Sequence, residues 1–180
     1  MEKKEYIQKG EYLQFIKKGH WEYIERINCS GVVIIIAVTN DNKLLLVEQY
    51  RIPVENRVIE LPAGLAGDIK NKQHEKLEEA AERELIEETG YKAKKMSIIT
   101  TGPPSAGLSS EMITFIQAQD LEKVSCGGGD HTESILLHEV PLSIIEKWLK
   151  EKTKQGMLID PKIYTGLYFL GKVYVVPETT

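Results

Sequence analysis

Seven apolar residues stand in a row at 32–38, VVIIIAV, most of them β-branched and none polar. A run without a solvent face predicts a strand buried on both sides. Elsewhere the pattern alternates. In 5–27 polar positions interleave with aromatic and aliphatic ones (EYLQFI, WEYIERI), which predicts two strands joined by a turn at 17–20. The turn cluster TNDN at 39–42 leads into a returning strand, KLLLVEQYR. A short strand follows at 58–64, VIELPAG, broken by Pro62 and Gly64, and 65–74 reads as a polar loop. Further strands are predicted near 95–101, 112–118 and 134–140, with CGGG at 126–129 as a flexible loop. One helix is predicted from about 75 to 88, stopped by Gly90. A second spans 141–152 with Pro141 in its first turn, and a last runs from 161 to about 172. This order predicts an α+β domain layered as an α/β/α sandwich, 31–180, preceded by a small antiparallel β element, 1–30.

The helix at 75–88 has an unusual pattern. At about 100° per residue, Leu77, Ala80, Ala81, Glu84, Leu85 and Glu88 share an arc of roughly 140°. Glu78, Glu79, Glu82 and Ile86 lie on the other side, and Glu87 falls off the apolar stripe. A solvated face accounts for the outer acids. It does not account for Glu84 and Glu88, one turn apart and aimed at the core. Bare buried carboxylates are costly unless a cation neutralises them. Arg83 can pair with one of them but not with all. A hard divalent cation with oxygen ligands answers the problem, and Mg²⁺ fits best.

Composition adds limits. The 180 residues carry a net charge of −4, which gives no global basic field for nucleic acid or an anionic membrane. Two cysteines, Cys29 and Cys126, form no CxxC pair or disulfide framework, and reduced thiols in the cytoplasm are the expectation. The N-terminus has no apolar signal core, and no apolar run approaches a membrane span.

The segment Glu75-x7-Arg83-Glu84-Leu85-Ile86-Glu87-Glu88-Thr89-Gly90-Tyr91 resembles the Nudix box, G-x5-E-x7-R-E-U-x-E-E-x-G-U, where U is bulky and apolar. One position departs: Ile69 stands where the box glycine belongs. Gly64, eleven positions before Glu75 instead of six, takes that role if the loop DIKNKQH carries a five-residue insertion. EQYR at 48–51 and VIELPAG extend the resemblance to the branch of ADP-ribose pyrophosphatases and nucleoside-diphosphate-sugar hydrolases.

The resemblance implies Mg²⁺-dependent cleavage of a pyrophosphate, with Mn²⁺ as a substitute. Glu84, Glu87 and Glu88 would be metal ligands, with the Ala63 carbonyl. Arg83 would orient them, beside Glu75. Arg51 would bind the diphosphate or terminal sugar; its plainer role is a surface ion pair. Trp21 would stack on the base, often across a homodimer interface, and Glu22 would reach the base amino group. Ordinary core or dimer packing is the other reading of Trp21. Glu133 would be the base in a loop that its glycines let close, with Asp130 and His131 as rivals and a plain hairpin tip as the alternative. Gly107 fits the branch, but Ala106 replaces the proline usual in its ADP-ribose members, which raises GDP-mannose or UDP-glucose as substrates. A Nudix-fold nucleotide sensor without turnover is the reading from another class.

Overall fold

The computed structural model describes residues 2–69, 73–129 and 134–171. Three antiparallel strands open the chain: β1 (Lys4–Lys9), β2 (Leu13–Lys18) and β3 (Trp21–Arg26), in the order β1-β2-β3. Two strands were expected here. The chain turns once more after Gly10, whose amide donates to the Leu13 carbonyl at 2.8 Å. The alternating pattern continues through that turn, so periodicity alone does not mark it. This sheet meets the rest of the molecule through β3. The Ile24 amide donates to the Leu108 carbonyl, the Ser110 amide to the Ile24 carbonyl, and Arg26 Nε bonds Glu111 at 2.9 Å.

Two four-stranded sheets follow. One has the order β7-β4-β9-β8, from β7 (Ala63–Ala66), β4 (Gly31–Ala37), β9 (Ile113–Lys123) and β8 (Tyr91–Gly102). The other is β10-β5-β6-β11, from β10 (Leu136–Pro141), β5 (Lys43–Arg51), β6 (Asn56–Glu60) and β11 (Leu158–Ile159). β4 is buried on both faces, as its sequence predicts. Val33, Ile35 and Ala37 pack with Ala81 and Leu85 of helix α1 (Leu77–Thr89). Ile34 and Ile36 face away, toward Leu149 of α2 (Ile145–Lys154) and Ile163 and Leu167 of α3 (Lys162–Phe169). Helices therefore cover both sides of β4, which makes the α/β/α sandwich.

Other boundaries move. Both β8 and β9 run longer than expected, because each pairs with the other over nearly its whole length. Pro141 does not open a helix. It ends β10, opposite Lys43, and α2 starts at Ile145. Gly64 does not break a strand but lies inside β7, opposite Val33. The expected end of the last helix, near Lys172, lies outside the described residues.

Candidate functional site

α1 follows the helical wheel at its extremes, with Glu78, Glu82, Glu84 and Glu87 half-buried between them. Ala80, Ala81, Leu85 and Glu88 are buried, and Glu79 is exposed. The helix ends at Gly90, in the left-handed region at φ 75°. Glu88 is only 3% exposed, and its Oε2 accepts the Ala63 amide at 3.0 Å, which ties the helix to the first residue of β7. Glu84 lies one turn earlier against Gly64. A Cβ on Gly64 would stand 2.0 Å from the Glu84 carboxyl carbon. That close approach is the reason for glycine at 64, whose φ is not in the left-handed region. Gly64→Ala should therefore displace the flexible Glu84 side chain and leave the fold intact. We expect activity to fall about a hundredfold, as a 1 Å misplacement can cost that much, with the melting midpoint near wild type. Unchanged kcat would show that Glu84 needs no fixed position.

Arg83 is the hub beside these acids. Its Nη1 donates to Glu84 Oε1 at 2.6 Å, its Nη2 to Glu75 Oε2 at 3.1 Å and to the Leu65 carbonyl at 2.9 Å. Burial disfavours its charge, but the bonds to Glu75 and the charge of Glu84 outweigh that and raise its pKa. Glu75 is nearly sequestered, with 4% of its side chain exposed. Asp68, in the loop after β7, stands 3.6 Å from Arg83 Nη2.

Glu84 feels this crowd. Burial, then the charges of Glu87 and Asp68, push its pKa to about 7, against the opposing pull of Arg83. Among the described residues no three carboxylate, imidazole or thiol groups already converge on one point. Glu87 lines a cleft of about 810 Å³ with Glu75, Arg83 and Lys92, while Glu84 and Glu88 face β7. The donor set is all hard oxygen and carries more negative charge than Arg83 balances. That fits a divalent cation of the Mg²⁺ class, which would lift the penalty on Glu84.

The other predicted residues are spread around this centre. Arg51, at the end of β5, bonds Glu60 Oε2 through Nε at 2.7 Å. By strand alternation both lie on the sheet face that carries Leu45 toward α1. The sign of Glu60 in the sequence is an acid inside the otherwise apolar strand VIELP. Trp21 is 56% exposed on β3, beside the His20 ring at 5.6 Å, so it is not core. Glu22 is exposed on the same strand. Gly107 lies in the exposed segment that receives β3, and a Cβ there would meet nothing within 4 Å. Glu133, Asp130 and His131 lie outside the described residues.

Residues 30–143 match the model of the NUDIX domain. A methanol dehydrogenase activator from Bacillus methanolicus is 37% identical over 156 residues, covering 86% of this chain and 80% of that one. An ADP-ribose pyrophosphatase from Bacillus subtilis (strain 168) is 39% identical over 97 residues, which are 54% of this chain and 50% of the relative. The solved structure of an ADP compounds hydrolase superposes with a TM-score of 0.65, at 21% identity, over 95% of each chain. At that identity the likeness supports the fold.

Proposed function

Because the chain belongs to the Nudix hydrolase family, we propose that it cleaves the pyrophosphate bond of ADP-ribose or a related nucleoside diphosphate sugar. Water adds across the P–O–P link, giving a nucleoside monophosphate and a sugar phosphate. The observation that carries the reading is the buried face of α1. Glu84 and Glu88 stand on it one turn apart, the first packed against Gly64 and paired with Arg83, the second bonded to the Ala63 amide, and one arginine does not balance the charge gathered there. The named activity of the Bacillus subtilis relative supports the substrate class.

In this reading Glu84, Glu87, Glu88 and the Ala63 carbonyl hold Mg²⁺, or Mn²⁺ in its place. When bound there, such an ion would supply charge neutralisation for the pyrophosphate and a lowered pKa for its bound water. Arg83 keeps the acids oriented, through Glu75 on one side and Glu84 on the other. Arg51 offers a bidentate grip on phosphate that a lysine would not, with Glu60 fixing its side chain. Glu133 supplies the base, and Gly107 lets substrate approach the loop after β8. Residues 1–30 form a base-binding and dimerisation element in a homodimer. This element exposes Tyr6, Tyr12 and Trp21, aromatic faces suited to a stacked base or a second copy. Residues 31–180 form the hydrolase domain. Among the described residues no helix is long and apolar enough to cross a membrane. A cytoplasmic location belongs to the proposal.

Ala106, in place of the expected proline, favours a second reading in which the substrate is GDP-mannose or UDP-glucose. One screen separates the readings: product release from ADP-ribose, GDP-mannose, UDP-glucose, dinucleoside polyphosphates and nucleoside triphosphates, with Mg²⁺ or Mn²⁺. ADP-ribose should rank first. No turnover of any of them would leave a nucleotide sensor. Run on Trp21→Ala, the same screen should show a KM raised more than kcat is lowered; an unchanged KM would return Trp21 to packing.

A further inference from the structure

The glycine loop after β9 is not loose, although its composition predicts a flexible loop. The last carbonyls of a helix have no partner within it. At the end of α1 the Ile86 carbonyl takes the Gly90 amide at 2.9 Å, but the next two are capped from far along the chain. The Glu87 carbonyl accepts the Gly129 amide at 3.1 Å, and the Glu88 carbonyl accepts the Gly128 amide at 3.0 Å. The Gly90 carbonyl in turn accepts the amides of Val124 and Ser125, at 2.8 and 3.1 Å. Four hydrogen bonds thus stitch 124–129 to the end of the helix.

Gly127, Gly128 and Gly129 all have positive φ, of 68°, 114° and 83°. They differ in what a side chain would meet. A Cβ on Gly128 would find only the Ile135 carbonyl, at 3.9 Å. A Cβ on Gly127 would stand 2.5 Å from the Thr89 carbonyl carbon, 2.7 Å from the Gly90 nitrogen and 2.8 Å from the Glu88 oxygen. All three are backbone atoms, so the last turn of α1 would have to move. Gly90 shows the converse contact, since its Cβ would lie 2.2 Å from the Ser125 oxygen. The two glycines are pressed together.

We propose that Gly127 is a positioning residue for the hydrolase: it lets the 124–129 loop clamp the backbone of Glu87 and Glu88 and so sets the direction of their carboxylates. The clamp holds main-chain atoms of the two residues whose side chains we assign to the cation. It therefore rests on that assignment. Supports one step behind a metal ligand typically change metal affinity by about 10–100-fold.

The test compares Gly127→Ala with Gly156→Ala. Gly156 has φ 87° and open space around it, so alanine there brings the same left-handed strain without a collision. Mn²⁺ binding is read by electron paramagnetic resonance, helix content by circular dichroism, and turnover against Mg²⁺ concentration. G127A should bind Mn²⁺ about tenfold or more weakly and need correspondingly more Mg²⁺ for half-maximal turnover, while G156A matches wild type. A folded G127A that binds Mn²⁺ as G156A does overturns the clamp. If G127A fails to fold, a one-glycine insertion between Gly128 and Gly129 decides, because it breaks the amide register without adding a Cβ. Wild-type affinity in that variant overturns the proposal. Glu88→Gln is the reference: if it binds Mn²⁺ as wild type does, the ligand assignment fails and the clamp falls with it.

Discussion

Glu88→Gln is expected to abolish turnover while the protein stays folded. Glu88 is 3% exposed and accepts the Ala63 amide. Glutamine has the same shape and keeps a carbonyl oxygen for that amide, so the tie between α1 and β7 survives. What disappears is the negative charge. A metal centre contributes several kcal/mol of charge stabilisation in the transition state, and each 1.36 kcal/mol is tenfold in rate. A loss of about 10³-fold in kcat follows. In metal-free buffer the melting midpoint should hold or rise, because a buried charge has been removed. Product release and thermal melts check both halves. Normal turnover would reduce Glu88 to a structural tie.

Glu48→Ala should give the largest loss of stability. Glu48 lies in β5 on the face opposite α1, 3% exposed. It bonds His138 Nε2 of β10 at 2.8 Å, Lys152 Nζ of α2 at 3.3 Å, and Arg57 of β6. The Trp148 ring packs beside this group, 5.0 Å from the His138 ring and 5.1 Å from Lys152 Nζ. One carboxylate thus joins three elements to β5. Removing it leaves His138 and Lys152, 17% and 15% exposed, without their anion. Breaking a buried pair this way costs about 3–5 kcal/mol. At about 2–4 °C per kcal/mol for a chain of this size, the midpoint should fall by roughly 10 °C. A drop under about 2 °C would show that water or another acid replaces Glu48.

The same cluster sets an acid limit. Burial raises the Glu48 pKa, but the bonds from His138, Arg57 and Lys152 more than reverse this and hold it at about 2. A depressed carboxylate contributes stability that is present above its unfolded value and lost as pH falls through the folded one. For Glu48 that window runs from 4.5 down to about 2. The His138 pKa is lowered, by burial first and then by the charges of Lys152 and Arg57, against the pull of Glu48. The folded form therefore disfavours the imidazolium, and stability also falls as pH drops below 6.5. Both groups work in the same direction. The pH dependence of unfolding between 4.5 and about 2 should flatten in Glu48→Ala, and an unchanged slope there would place the acid limit elsewhere.

Much of the helix was legible because its information is local. A repeat near 3.6 residues assigns faces without reference to any other element, and it put Glu84 and Glu88 inward and Glu79 outward. The unbroken run in β4 likewise announced a strand covered on both sides. Strand ends were less legible. β8 and β9 extend as far as their partner does, and the partner is distant in sequence. The third N-terminal strand was hidden because alternation carries through the turn at Gly10.

The sequence by itself determined the acidic helix, its buried pair, its stop at Gly90 and the family to which that spacing belongs. All of these follow from intervals along one element, where a residue's neighbours are its near neighbours in the chain. Only the tertiary structure decided why Gly64 is a glycine, that Arg51 pairs with Glu60, that Asp68 joins Arg83, and that Gly127 presses on the end of α1. Each of these is a contact between elements that packing brings together, and no period in the chain records it.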